Sequence, residues 1–222
     1  MADIKGVLFD MDGLLLDTER LGQDAFVDAT APMGIPEAKA RHAFLFMIGG
    51  NAEANHAALA RELPEADPQV VRRDWVDAFE ARVAKGVPLR PTAWDTVSAL
   101  HARFPLVVVT SSIRRHAEHN LAATGLGQFF QSVVTAEDVT AMKPDPEPYR
   151  TGAARLGLDP RDCGAFEDSD VGITAAMGAG CQAVQIPDLR PPDRPLPALG
   201  QRTARTLAEG AALLGLLPVR AA

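Results

Sequence analysis

Positive charge, cysteine and aromatic side chains are scarce in this chain, and long apolar runs are missing. Its 22 lysines and arginines are outnumbered by 29 aspartates and glutamates, leaving a net charge of −7. A nucleic-acid partner favours a basic face, so this balance argues against one. No apolar stretch approaches the ~20 residues that a membrane span needs, and there is no basic leader. A cytoplasmic protein with no membrane partner is therefore expected. The two cysteines, Cys163 and Cys181, lack any metal-ligand or redox spacing. Each adjoins an apolar, strand-like stretch and reads as a reduced core residue. What remains is ordinary globular material, 222 residues of which 47% are hydrophobic and 23% charged. That suffices for one large domain, or one domain with an insertion.

Short apolar runs stand where long ones are missing. Gly6-Val7-Leu8-Phe9, Leu106-Val107-Val108-Val109, Ser132-Val133-Val134, Gly164-Ala165-Phe166 and Ala183-Val184-Gln185-Ile186 read as buried strands. Helix-like stretches lie between them. One starts after Ser112, a good N-cap, and stops near Gly125. Another starts at Asp145-Pro146 and stops at Gly157. A third follows Ser169-Asp170 and closes at Gly178-Ala179-Gly180. Strands alternating with helices imply an α/β fold with a doubly wound parallel sheet. From Thr18 to Gly86 the periodicity is helical instead. Val71, Trp75, Phe79 and Val83 form one apolar stripe that reads as a core face, and Pro32 to Pro36 and Leu63-Pro64 break the region into separate helices. The expected division is a core of residues 1–17 and 88–222, interrupted by an all-helical insertion of residues 18–87. Pro187 to Pro197, with five prolines, reads as an irregular loop beside the last strand.

The first apolar run stops abruptly at Asp10-Met11-Asp12-Gly13. In an open α/β sheet, ligands bind just beyond the carboxyl ends of the strands. Two carboxylates one residue apart repel each other unless a cation or a shared proton relieves them. A hard divalent ion such as Mg²⁺ suits an all-oxygen site of this kind. Three further strand ends carry chemistry-bearing residues: Thr110-Ser111, Lys143-Pro144-Asp145 and Glu167-Asp168. His116 and His119, three apart, read as exposed polar residues rather than metal ligands.

Taken in order, Phe9-Asp10-Met11-Asp12-Gly13-Leu14, Val109-Thr110-Ser111-Ser112, Met142-Lys143-Pro144-Asp145-Pro146 and Phe166-Glu167-Asp168-Ser169 with Gly172 and Ala175-Ala176 match a known set of motifs. With the helical insertion after the first, the chain resembles the haloacid dehalogenase superfamily, in its branch of phosphatases and phosphoglucomutases with a helical cap. The resemblance implies Mg²⁺-dependent hydrolysis of a small-molecule phosphate ester. Asp10 would attack phosphorus and form an aspartyl-phosphate. Asp12 would protonate the leaving oxygen and then activate water, and its backbone carbonyl would bind the metal. Asp168 would be a metal ligand, with Glu167 a ligand or its support. Thr110 and the Ser111 backbone would donate to phosphoryl oxygens, and Lys143 would bring a point positive charge to the phosphate and to Asp10.

Departures from the family narrow the reaction. The dehalogenases lack the second acid, which is present here as Asp12. The β-phosphoglucomutases carry a histidine in the helix after the Asp-Thr pair, where this chain has Gly22, and an arginine in the cap loop. The corresponding run here is Ile48-Gly49-Gly50-Asn51-Ala52-Glu53, with no basic residue. Gly50 and Asn51 are expected to approach the substrate from this loop, which suits a neutral, hydroxyl-bearing leaving group such as a small sugar or polyol. The expected activity is phosphomonoester hydrolysis by a monomer or small homo-oligomer. The alternatives are a sugar-phosphate mutase and, from another class, a non-catalytic phosphate-binding module.

Overall fold

The computed structural model describes residues 3–48, 52–191 and 193–218. In chain order the elements are β1 (Gly6–Phe9), α1 (Thr18–Thr30), α2 (Glu37–Leu45), α3 (Ala52–Glu62), α4 (Pro68–Val83), α5 (Ala93–His101), β2 (Leu106–Val109), α6 (Arg114–Ala123), β3 (Ser132–Val134), α7 (Glu147–Arg155), β4 (Cys163–Glu167), α8 (Asp170–Ala179), β5 (Gln182–Gln185), β6 (Arg202–Thr203) and α9 (Leu207–Leu213). The strands form one sheet in the order β3-β2-β1-β4-β5-β6, and every pairing is parallel. This is the doubly wound α/β architecture. The chain steps outward from β1 to β2 and β3, then returns to the other side of β1 as β4. The strand order therefore reverses at the β1–β4 boundary, where such sheets open a crevice for ligands.

Parallel strands covered on both faces read as unbroken apolar runs, and Val7, Leu8, Phe9 and Leu106 to Val109 are fully buried. Phe9 packs on Phe166 of the neighbouring strand, with ring centroids 5.4 Å apart. Cys163 and Cys181 are buried free thiols in this core. Burial raises the Cys163 thiol to about 11 and the Cys181 thiol further in the same direction, so both stay protonated and unreactive. β6 is a strand that was not expected. Arg202-Thr203 has no apolar run, and only its pairing to β5 makes it a strand.

The chain divides into two compact units. One holds residues 1–16, 88–188 and 196–222; the other holds residues 17–87 and 189–195. The short stretch 189–195, expected beside the last strand, thus groups with the helices, and Leu189 packs against their core. Phe26, Phe44 and Trp75 centre that core, with ring centroids 5.8–5.9 Å apart. Trp75 satisfies its indole N–H on the Gly22 carbonyl at 2.9 Å. Along the α4 stripe, Val71 is fully buried and Trp75, Phe79 and Val83 are half-buried. Among the described residues no helix is long and apolar enough to cross a membrane.

Candidate active site

The carboxyl end of β1 fixes two acids by backbone geometry. The Asp10 N–H donates to the Phe166 carbonyl at 3.0 Å, extending the ladder one residue past the strand. Gly13 then takes φ +83°, a conformation that side chains resist, and its N–H donates to the Leu16 carbonyl at 2.9 Å. Asp10 is left buried and Asp12 half-buried. One Asp12 carboxylate oxygen accepts from the Ser112 hydroxyl at 2.8 Å and from the Thr110 hydroxyl at 3.2 Å. Ser112 is therefore not the helix cap that its position suggested. The N-cap of α6 is Ile113, without a side-chain bond, and the Glu137 carboxylate accepts the Arg114 N–H instead.

Lys143 reaches the same strand end from the loop before α7. Its ammonium has three hydrogens, and three acceptors take them: Asp10 Oδ1 at 2.6 Å, Glu167 Oε1 at 2.6 Å and the Val109 carbonyl at 2.9 Å. In this arrangement it acts on a nearby anion by charge rather than by a further hydrogen bond. Burial works against its charge, but the Asp10 and Glu167 carboxylates hold its pKa above the ordinary lysine value. The Asp10 carboxyl is pushed well above the usual range. Burial is the largest cause, Lys143 opposes it, and the like charges of Glu167 and Asp12 add to it.

Glu167, at the end of β4, is fully buried. Besides Lys143, its Oε1 accepts from the Tyr149 hydroxyl at 2.8 Å, while Oε2 accepts from the Ser169 hydroxyl at 3.1 Å and the Ser169 N–H at 3.3 Å. The Ser169 hydroxyl in turn caps α8 by accepting the Gly172 N–H at 3.0 Å. Gly172 has a steric reason to be glycine. A Cβ there would stand 1.9–2.1 Å from three carboxylate atoms of Glu167.

Asp10, Glu167 and Asp168 each offer an oxygen, all within 4.8 Å of one another. The like charge of Asp12 adds to that at Asp10, while Lys143 pairs with Asp10 and Glu167. An all-oxygen donor set carrying excess negative charge fits a hard divalent cation. Four protein donors already engage Glu167, so it suits a supporting role behind Asp10 and Asp168. Thr110 and Ser112 both engage the same oxygen of the Asp12 carboxylate.

Of the residues singled out in the sequence, Asp10, Asp12, Thr110, Lys143, Glu167 and Asp168 converge here. Ser111 lies at the same strand end and is exposed. Gly50 and Asn51 fall outside the described residues. Ser112 and Tyr149 were missed as functional residues. Ser112 was read as a cap, and Tyr149 lies within a helix with no motif to mark its hydroxyl.

The haloacid dehalogenase-like hydrolase family model matches residues 7–186. The fructose-1-phosphate phosphatase YqaB of Escherichia coli is 34% identical over 184 residues, covering 82% of this chain and 95% of the relative. Hexitol phosphatase A of Escherichia coli is 31% identical over 188 residues, covering 82% of each chain. A HAD family hydrolase from Deinococcus radiodurans, solved with bound phosphate and sodium, superposes with a TM-score of 0.81 at 26% identity, over 99% of this chain and all of that one. With the parallel sheet and the acids at its switch point already described, these likenesses show that the chain belongs to the haloacid dehalogenase-like hydrolase family and is an enzyme of its phosphatase branch.

Proposed function

We propose that this enzyme hydrolyses the phosphate monoester of a small sugar or polyol, with Mg²⁺ as cofactor and an aspartyl-phosphate on Asp10 as intermediate. The observation that carries the reading is the buried Asp10 carboxylate, held by Lys143 at 2.6 Å where the strand order reverses, with Asp12 two residues on. Mg²⁺ held by Asp10, Asp168 and the Asp12 carbonyl would cancel the repulsion between carboxylate and phosphate and stabilise charge in the transition state. An Asp10 oxygen attacks phosphorus, and the bond from phosphorus to the leaving oxygen breaks. Asp12 gives that oxygen a proton. Asp12, now ionised, takes a proton from water, which attacks the aspartyl-phosphate and releases inorganic phosphate. The Thr110 hydroxyl has one hydrogen to give. When it turns to a phosphoryl oxygen, Ser112 keeps its hold on the Asp12 carboxylate.

One feature favours water over a second sugar hydroxyl as acceptor. Gly22 packs under an aromatic ring, since a Cβ there would stand 3.3 Å from Phe44 Cζ, and a histidine would have no room without displacing Phe44. The names of two relatives, a fructose-1-phosphate phosphatase and a hexitol phosphatase, support a sugar or polyol leaving group. The helical unit, inserted directly after the first strand end, is the segment we assign to selecting it, with Gly50 and Asn51 in its loop.

The test is phosphate release from p-nitrophenyl phosphate and from a panel of hexose, pentose and polyol phosphates. Turnover is expected with Mg²⁺ and is expected to vanish in excess EDTA. Ca²⁺ should fail to restore it, because Ca²⁺ takes more ligands in a looser geometry. Glucose 1-phosphate should yield free phosphate without glucose 6-phosphate, and no bisphosphate activator should be needed. Full activity in EDTA would end the metal reading, and isomer conversion faster than phosphate release would replace hydrolase by mutase.

A further inference from the structure

Tyr149 is the chain's single tyrosine, it is fully buried, and it packs in the core beneath the sheet's carboxyl ends with Val109, Ile173 and Ala176. A phenylalanine would fill that volume equally well. A buried hydroxyl is unfavourable unless it is hydrogen-bonded, and this one has one described partner, Glu167 Oε1 at 2.8 Å. The same oxygen accepts from Lys143 at 2.6 Å. The face of the phenol ring also lies under the ammonium, with Lys143 Nζ 5.2 Å from the ring centroid, within the range of a cation–π contact.

Two carboxylates compete for this ammonium, since Asp10 and Glu167 both stand 2.6 Å from it. Whichever binds harder decides where Lys143 sits. A hydrogen bond from Tyr149 draws charge from Glu167 Oε1 and weakens its pull on the ammonium. With Ser169 on the other oxygen, the Glu167 carboxylate is held at both ends. From this we infer that Tyr149 is a positioning residue: by engaging Glu167 through its hydroxyl and supporting the ammonium with its ring, it keeps Lys143 on Asp10. The inference rests on the reading of Asp10 as nucleophile. Tyr149 does not reach the substrate or the metal in this scheme, so its effect falls on the chemical step and not on binding.

Tyr149→Phe removes one oxygen and keeps the ring, so the fold is expected to persist by circular dichroism. In the p-nitrophenyl phosphate assay, kcat should fall about tenfold while KM stays within about twofold. Mg²⁺ affinity, measured calorimetrically without substrate, should also stay within about twofold. On a Glu167→Gln background the same substitution should change kcat by less than about twofold, because the group it acts through is gone. Three results would each overturn the inference. One is a kcat for Tyr149→Phe within twofold of the parent. Another is the same tenfold loss on both backgrounds. The third is a loss of Mg²⁺ affinity equal to the loss of kcat. The kcat comparison stands by itself should Glu167→Gln fail to fold. Turnover by Asp10→Asn at the parent rate would instead remove the nucleophile reading, whichever way Tyr149→Phe behaves.

Discussion

Asp10→Asn is expected to lower kcat for phosphate release by at least ~10³-fold, a loss of ~4 kcal/mol in transition-state stabilisation, while leaving the protein folded. The amide keeps the shape of the carboxylate but is neutral, a poor nucleophile and a weak ligand for a hard cation. Two effects on stability oppose each other. Removing one member of a buried ion pair is normally costly, because it strands the other. Here Lys143 keeps the Glu167 carboxylate at 2.6 Å and the Val109 carbonyl at 2.9 Å, so it is not stranded. Against that, the substitution removes a buried acid whose carboxyl is already pushed well above its usual range, chiefly by burial. The two nearly cancel, and Tm in metal-free buffer should stay within about 4 °C of the parent, what ~1 kcal/mol is worth in a chain of this size. Phosphate release within about tenfold of the parent rate would show that another group attacks phosphorus.

The strand ends were legible because they combine two local signals, an apolar run and a polar stop. Asp10, Thr110 and Asp168 could be aligned on one sheet edge from that pattern alone, and Lys143 followed from the motif preceding α7. What stayed hidden depends on which way a side chain turns. Ser112 sits at a helix start and has the chemistry of a cap, but its hydroxyl goes to Asp12 at 2.8 Å, because the Glu137 carboxylate already serves the helix N-terminus. Tyr149 is indistinguishable in sequence from a core aromatic until β4 brings Glu167 against its hydroxyl. β6 has only two residues, Arg202 and Thr203, and no alternation to read. The helical unit runs from Asp17 to Val87 and takes in residues 189–195, and that return was not legible, since a proline-rich loop carries no sign of what it packs against.

The requirement for empty space beside Glu167 gives the second large effect. Gly172→Ala should destabilise the protein by about 2–3 kcal/mol, at the upper end for overpacking a rigid site, and lower Tm by about 6–10 °C. A kcat loss of more than about tenfold should accompany it. Helix propensity pulls the other way, because alanine in a helix is worth up to ~1 kcal/mol over glycine. Contact distance decides which wins. The new Cβ would stand 1.9 Å from Glu167 Oε1, far inside van der Waals contact, so either α8 shifts or the Glu167 carboxylate turns away. Turning breaks its bonds to Lys143 and Tyr149 together and displaces one acid of the Asp10, Glu167 and Asp168 cluster. Gly178 in the same helix supplies the control. A Cβ at that position would meet Pro146 at an ordinary 3.6 Å, so Gly178→Ala should follow propensity alone and leave Tm unchanged or raised by up to about 4 °C. Thermal unfolding of the two variants side by side reads the difference. If Gly172→Ala matched Gly178→Ala in stability and retained full turnover, Glu167 would not occupy the space beneath α8, and the link from Gly172 through Glu167 to Lys143 would fail with it.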